Sequence, residues 1–130
     1  MAYSDRTIRI GTPLLIDDNA IWQAFAIKYL NEAGLRVIEV AADGVQGVAK
    51  ARTWQPNIIL MDISMPHMNG IEAAAQMRDA APKSKIIFVS ATDDPHVIQA
   101  AMEVGGLEYV MKPRAGRDLI PAIRRALQSG

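Results

Sequence analysis

Asn57-Ile58-Ile59-Leu60-Met61-Asp62 is the stretch on which the fold turns. A run of apolar side chains, short and partly β-branched, leads straight into a carboxylate. Runs of this kind read as strands covered on both faces, the pattern of a parallel sheet. Four more flank it: Pro13-Leu-Leu-Ile16, Arg36-Val-Ile-Glu-Val40, Lys85-Ile-Ile-Phe-Val89 and Glu108-Tyr-Val-Met111. Turn residues lie near each.

The segments between these runs have helical spacing. Ile21 and Phe25, and Trp22, Ala26 and Leu30, recur four residues apart until Gly34 stops the pattern. A second helix is predicted over about Gly44 to Trp54, with Pro56 beyond its end. A third starts after Asn69-Gly70, with Asn69 as its cap, and ends before Pro82. A fourth opens at Asp94-Pro95 and ends at Gly105-Gly106. The fifth is predicted from about Arg117 to Gln128, which puts Pro121 near its first turn. Strands alternating with helices imply parallel strands joined by right-handed crossovers. A closed barrel needs about eight such units and roughly 250 residues. A chain of 130 residues therefore forms an open, doubly wound α/β sheet with helices on both faces.

Composition narrows the function. The 14 basic and 14 acidic residues give a net charge of zero, against a stand-alone nucleic-acid binder. There are no cysteines, so disulfides, thiol catalysis and thiolate metal sites are excluded. Two histidines, His67 and His96, are too few for a histidine-rich zinc site and read as a loop residue and a first-turn helix residue. No apolar run approaches the ~20 residues that span a bilayer, and no signal sequence opens the chain, so the expected location is cytoplasmic. Residues 1–11 read as a leader and residues 12–130 as one domain.

Ligands of open α/β sheets sit outside the carboxyl ends of the strands. There the first strand ends in Asp17-Asp18, the third in Asp62, the fourth in Ser90 and the fifth in Lys112-Pro113. Two carboxylates ~4 Å apart repel by about 4 kcal/mol at an effective dielectric of 20, so such a cluster calls for a cation. Hard oxygen donors without sulfur or imidazole select Mg²⁺, with Mn²⁺ as the other candidate. The cation, the lysine and the serine hydroxyl suit a phosphoryl group. With no Walker loop and no G-x-S-x-G elbow in the chain, the nucleophile left is a carboxylate, whose attack gives an aspartyl-phosphate.

Four segments together resemble the receiver domain of two-component response regulators. They are Leu14-Leu-Ile-Asp-Asp18, Ile58-Ile-Leu-Met-Asp-Ile-Ser-Met-Pro66 with Asn69-Gly70, Ile87-Phe-Val-Ser-Ala91 and Tyr109-Val-Met-Lys-Pro113. The resemblance implies a flavodoxin-like sheet of order 2-1-3-4-5. It implies that Asp62 accepts a phosphoryl group from a histidine kinase or phosphotransfer protein. Asp17, Asp18, Asp62 and the Ser64 carbonyl would hold Mg²⁺. Lys112 would pair with Asp62 and then with the phosphoryl group. Ser90 would move to the phosphoryl oxygen and Tyr109 would turn inward behind it. That would reshape the face of the fourth helix, fifth strand and fifth helix, for a partner protein, an output domain or a homodimer. The domain would catalyse only its own phosphorylation and dephosphorylation, and the Lys112-Pro113 bond would be cis.

The chain departs from the family at several positions. Ser64 and Thr92 stand where the family tunes aspartyl-phosphate hydrolysis, and neither is a carboxylate or amide, so slow self-dephosphorylation is expected. Glu108 replaces a frequent glycine, and Arg114 a common apolar residue. The segment from Arg114 onward resembles receivers that precede a helix-turn-helix domain, so the chain reads as a single-domain regulator or an excised piece. Two other classes stay open: a non-switching receiver-like interaction domain, and a phosphohydrolase, for which the chain is too short to add a cap. Trp22 and Trp54 read as packing or surface residues. Arg117, Arg124 and Arg125 read as a solvated face of the last helix or a partner contact.

Overall fold

The computed structural model describes residues 12–129; the leader expected over residues 1–11 lies outside them. Five parallel strands form one sheet of order β2-β1-β3-β4-β5. In chain order the elements are β1 (Leu14–Ile16), α1 (Ala20–Glu32), β2 (Glu39–Ala41), α2 (Gly44–Trp54) and β3 (Ile58–Met61). There follow α3 (Gly70–Ala80), β4 (Lys85–Ser90), α4 (Pro95–Glu103), β5 (Gly106–Met111), a 3₁₀ turn (Lys112–Arg114) and α5 (Ala115–Gln128).

Alternation along the central strands builds two cores. Leu14, Ile16, Ile59, Met61, Ile86 and Phe88 face one side, where they meet α2, α3 and α4. Leu15, Ile58, Leu60, Ile87 and Val89 face the other, under α1 and α5. Each fully buried Leu, Ile or Phe contributes about 1.5–3 kcal/mol, so the apolar runs that announce the strands also hold the sheet together.

Caps set the helix starts that the sequence foretells. Asn69 and Glu72 form a reciprocal capping box on α3, and Asp94 accepts from His96 N ahead of Pro95 at the start of α4. Three expectations need correction. The Lys112–Pro113 bond is trans, and no cis peptide occurs among the described residues. Pro113 sits inside the 3₁₀ turn, and trans is the lower-energy isomer of an X–Pro bond. That turn feeds directly into α5, which therefore starts at Ala115 rather than near Arg117. Pro121 thus falls within the helix, on its exposed side, and leaves the Arg117 carbonyl without its usual intrahelical donor. Gly106 does not end α4. It opens β5, where a Cβ would come within 2.8 Å of the Phe88 ring.

Candidate functional site

The carboxyl edge of the sheet gathers the acidic residues. Asp17 follows β1, and its N–H donates to Ala41 O across to β2. Asp62 follows β3, and its N–H donates to Ile16 O on β1. The two strand ends therefore lie side by side in register, with Asp18 next to them. One carboxylate oxygen from each of Asp17, Asp18 and Asp62 lies within 4.8 Å of the others. Asp17 and Asp62 are buried and Asp18 is exposed, so the cluster opens to solvent on one side.

Lys112 closes the cluster. Its Nζ lies 2.8 Å from Asp17 Oδ2 and 3.2 Å from Asp62 Oδ2. The other oxygens are held by the backbone: Asn19 N donates to Asp17 Oδ1 and Ile63 N to Asp62 Oδ1. Burial pushes the Asp17 carboxyl above its usual range; the Lys112 ammonium and the Asn19 N–H pull the other way, and the Asp62 charge adds to the rise. Burial alone would lower Lys112, but Asp17 and Asp62 outweigh it and hold the amine above its ordinary value. The lysine is thus a fixed cation against two carboxylates.

The donor set fits a small hard cation. Three carboxylates converge from two loops, and the buried Asp17 Oδ2 has the ammonium nearby but no well-aligned hydrogen bond. Oxygen donors of this kind suit Mg²⁺ or Mn²⁺ with several waters retained. Ser64 lies two residues past Asp62 on the exposed loop, which leaves the site open on that side.

Ser90 and Tyr109 sit one layer away. Ser90 is buried at the end of β4, pairs with Met111 in register and accepts from Thr92 N at 3.3 Å. Tyr109 on β5 lies inward. Its ring is 6.4 Å from that of Phe88, its hydroxyl donates to Thr92 O at 2.8 Å, and burial raises its pKa. Glu108 meets Arg125 of α5 at the surface, so one of the departing residues is tied within the chain.

Two contacts have no counterpart in the sequence reading. Gly70 packs against the backbone of Asp62, and the Trp22 ring lies 5.2 Å from Lys112 Nζ. The glycine after Asn69 signals a close approach only in hindsight, and an aromatic residue on an amphipathic helix reads as core. His67 is exposed, with a left-handed backbone (φ 67°), as suits a loop histidine.

A family model described as the response regulator receiver domain matches residues 14–124. The chain is 30% identical over 112 residues to the chemotaxis protein CheY of Thermotoga maritima, covering 86% of this chain and 93% of that protein. It is 31% identical over 116 residues to the transcriptional regulatory protein PdtaR of Mycobacterium tuberculosis; the match takes in 88% of this chain but 55% of that protein, so the chain spans about half the length of that relative. Among solved structures, it superposes with a TM-score of 0.82 on the receiver domain of a sensor histidine kinase from Pseudomonas aeruginosa PAO1, solved with a magnesium ion in its active site cleft. The two are 28% identical, and the match covers 91% of this chain and 98% of that one.

Proposed function

The chain belongs to the response regulator receiver domain family of two-component signalling, and from that premise we propose that Asp62 accepts a phosphoryl group from a histidine kinase or a phosphotransfer protein. The observation that carries the proposal is Lys112, held 2.8 Å from Asp17 and 3.2 Å from Asp62 beside three converging carboxylates. The amine balances the charge of two buried carboxylates. It serves a site whose charge must change.

In the reaction an Asp62 oxygen attacks phosphorus. The phosphorus–nitrogen bond of the phosphohistidine breaks, its electron pair returns to the ring nitrogen, and an acyl phosphate forms on Asp62. Asp17, Asp18, Asp62 and the Ser64 carbonyl would hold Mg²⁺ (or Mn²⁺), which would supply positive charge against the repulsion between carboxylate and phosphoryl oxygens. Lys112 follows the charge from the carboxylate to a phosphoryl oxygen. The Ile63 N–H holds the other carboxylate oxygen and so orients the attacking one.

The output runs through Ser90 and Tyr109. Ser90 turns to the phosphoryl oxygen, and the Tyr109–Thr92 contact joins that movement to the α4–β5–α5 face. That face meets a partner protein, an output domain or a second copy. The receiver extends over residues 12–130, works in the cytoplasm and turns over no external substrate.

Incubation with acetyl phosphate and Mg²⁺, followed by intact-protein mass measurement, tests this. One phosphate mass is expected on the wild-type chain and none on Asp62→Ala. No added mass, or addition that survives Asp62→Ala, refutes it. A chain that binds no Mg²⁺ in a titration is instead a constitutive interaction domain.

A further inference from the structure

We propose that Trp22 is a positioning residue for Lys112, its indole face forming the third wall that keeps the ammonium aimed at Asp62; the proposal rests on Asp62 as the phosphoryl acceptor. The Lys112 Nζ lies 5.2 Å from the centre of the Trp22 ring, within the range of a cation–π contact. Lysine carries a compact charge on a flexible stem and does not hold one direction unless its surroundings impose it.

The backbone of Trp22, from which the indole projects, is fixed relative to the acidic cluster by a short relay. Trp22 N donates to Asn19 Oδ1 at 2.9 Å, and Asn19 N donates to Asp17 Oδ1 at 2.8 Å. The ring then leads an aromatic row along α1. Trp22 and Phe25 have centroids 5.1 Å apart, Phe25 and Tyr29 are 5.7 Å apart, and Tyr29 OH donates to Gly116 O at 2.9 Å. Both ends of the row bear on the same segment of chain, Lys112 at one end and Gly116 at the other. The row therefore braces the stretch that presents the lysine.

The orientation of the ring points the same way. Trp22 Nε1 is buried without a hydrogen-bond partner. An indole placed for its own sake turns that N–H to an acceptor, because leaving it unpaired is costly. Here no protein acceptor meets the N–H, and the ring face lies 5.2 Å from the ammonium.

The other two walls change during the proposed reaction. Asp62 becomes an acyl phosphate, and Asp17 shares its oxygens with a divalent cation. The indole alone of the three keeps its charge character throughout. Trp22 and Lys112 also share the wall of a groove of about 660 Å³, so a small side chain at position 22 would admit water to the ammonium.

Two experiments decide. In the first, phosphorylation by acetyl phosphate and Mg²⁺ is followed in wild type, Trp22→Phe and Trp22→Leu. A desolvated cation–π contact corresponds to a roughly tenfold lower saturating rate in Trp22→Leu, with the half-saturating acetyl phosphate concentration little changed, while Trp22→Phe keeps most of the rate. Equal rates in all three, or equal losses in the two variants, overturn the proposal. In the second, Trp54→Phe leaves Trp22 as the single tryptophan, and Lys112→Met is added. Removal of the ammonium is expected to change the Trp22 emission; unchanged spectra overturn the proposal even if Trp22→Leu fails to fold. No phosphorylation of the wild type overturns the acceptor reading and this role with it, whereas wild-type phosphorylation with indifferent Trp22 variants overturns this role alone.

Discussion

Gly70 lies so close to Asp62 that a Cβ built on it would stand 2.1 Å from the Asp62 carbonyl oxygen and 3.0 Å from the Ile63 Cα. The Gly70 N–H donates to Ile63 O at 2.9 Å, which draws the start of α3 against the end of β3. Backbone cannot rotate away as a side chain can. Gly70→Ala is therefore expected to cost about 2–4 kcal/mol, read from a urea transition, and to slow phosphorylation of Asp62 by shifting its backbone. A cost below about 0.5 kcal/mol would show that the loop yields freely.

At Asp17 the proposed metal site opposes stability. Its carboxyl is 1% exposed, and burial together with the Asp62 charge raises its pKa above the ordinary 3.8. A folded-state value above the unfolded one means that the native chain binds the proton more tightly. Its stabilising contribution is then present below about pH 3.8 and lost as pH rises through the folded value, so the ionised group is a burden at neutral pH. Asp17→Asn removes that burden while Lys112 keeps Asp62 at 3.2 Å. In EDTA near neutral pH the variant is expected to be more stable by about 1 kcal/mol, or roughly 3–5 °C in Tm, with the gap closing toward pH ~4. The same variant should bind Mg²⁺ far more weakly. A lower Tm for Asp17→Asn at neutral pH would contradict the assignment.

The sheet and most of the site were legible because the same residues do both jobs. Ile58–Met61 had to be apolar throughout to be covered on two faces, and a strand so covered delivers its next residue, Asp62, to the sheet edge. Asn69 and Asp94 announced their helices because a cap is a local device. The start of α5 was not legible. It depends on Pro113 entering a 3₁₀ turn, which the packing of Ala115 and Leu119 under β4 and β5 rewards. Nor could spacing reveal Trp22 over Lys112, since the two residues come from opposite ends of the chain and meet only after the sheet has formed.

On the proposed function, Ser64 and Thr92 are expected to set the lifetime of the aspartyl-phosphate. Ser64 is exposed on the loop after Asp62, and the Thr92 carbonyl is occupied by Tyr109. Neither side chain offers a carboxylate or amide to orient water. Phosphorylated protein freed of acetyl phosphate is expected to lose its phosphate over many minutes or longer, and Ser64→Asn to shorten that lifetime severalfold. Phosphate release from the unaltered chain within seconds would refute the expectation.

Tyr109 ties β5 to the loop before α4. Its hydroxyl donates to Thr92 O at 2.8 Å from a half-buried ring that also packs on Phe88. Tyr109→Phe keeps the ring and removes only the donor, so the Thr92 carbonyl must turn to water. A hydrogen bond of this kind contributes about 1 kcal/mol, a modest global loss. Its effect should be concentrated locally, because Thr92 N in turn donates to Ser90 Oγ. Amide hydrogen exchange is therefore expected to quicken over Ala91–Asp94 in Tyr109→Phe, while the interior of β3, separated from β5 by β4, exchanges as before. If exchange rises evenly across the sheet, the phenol acts through general stability. If it rises nowhere, Tyr109 is a packed aromatic with no hold on the loop, and the path from Ser90 to the α4–β5–α5 face must run through other groups.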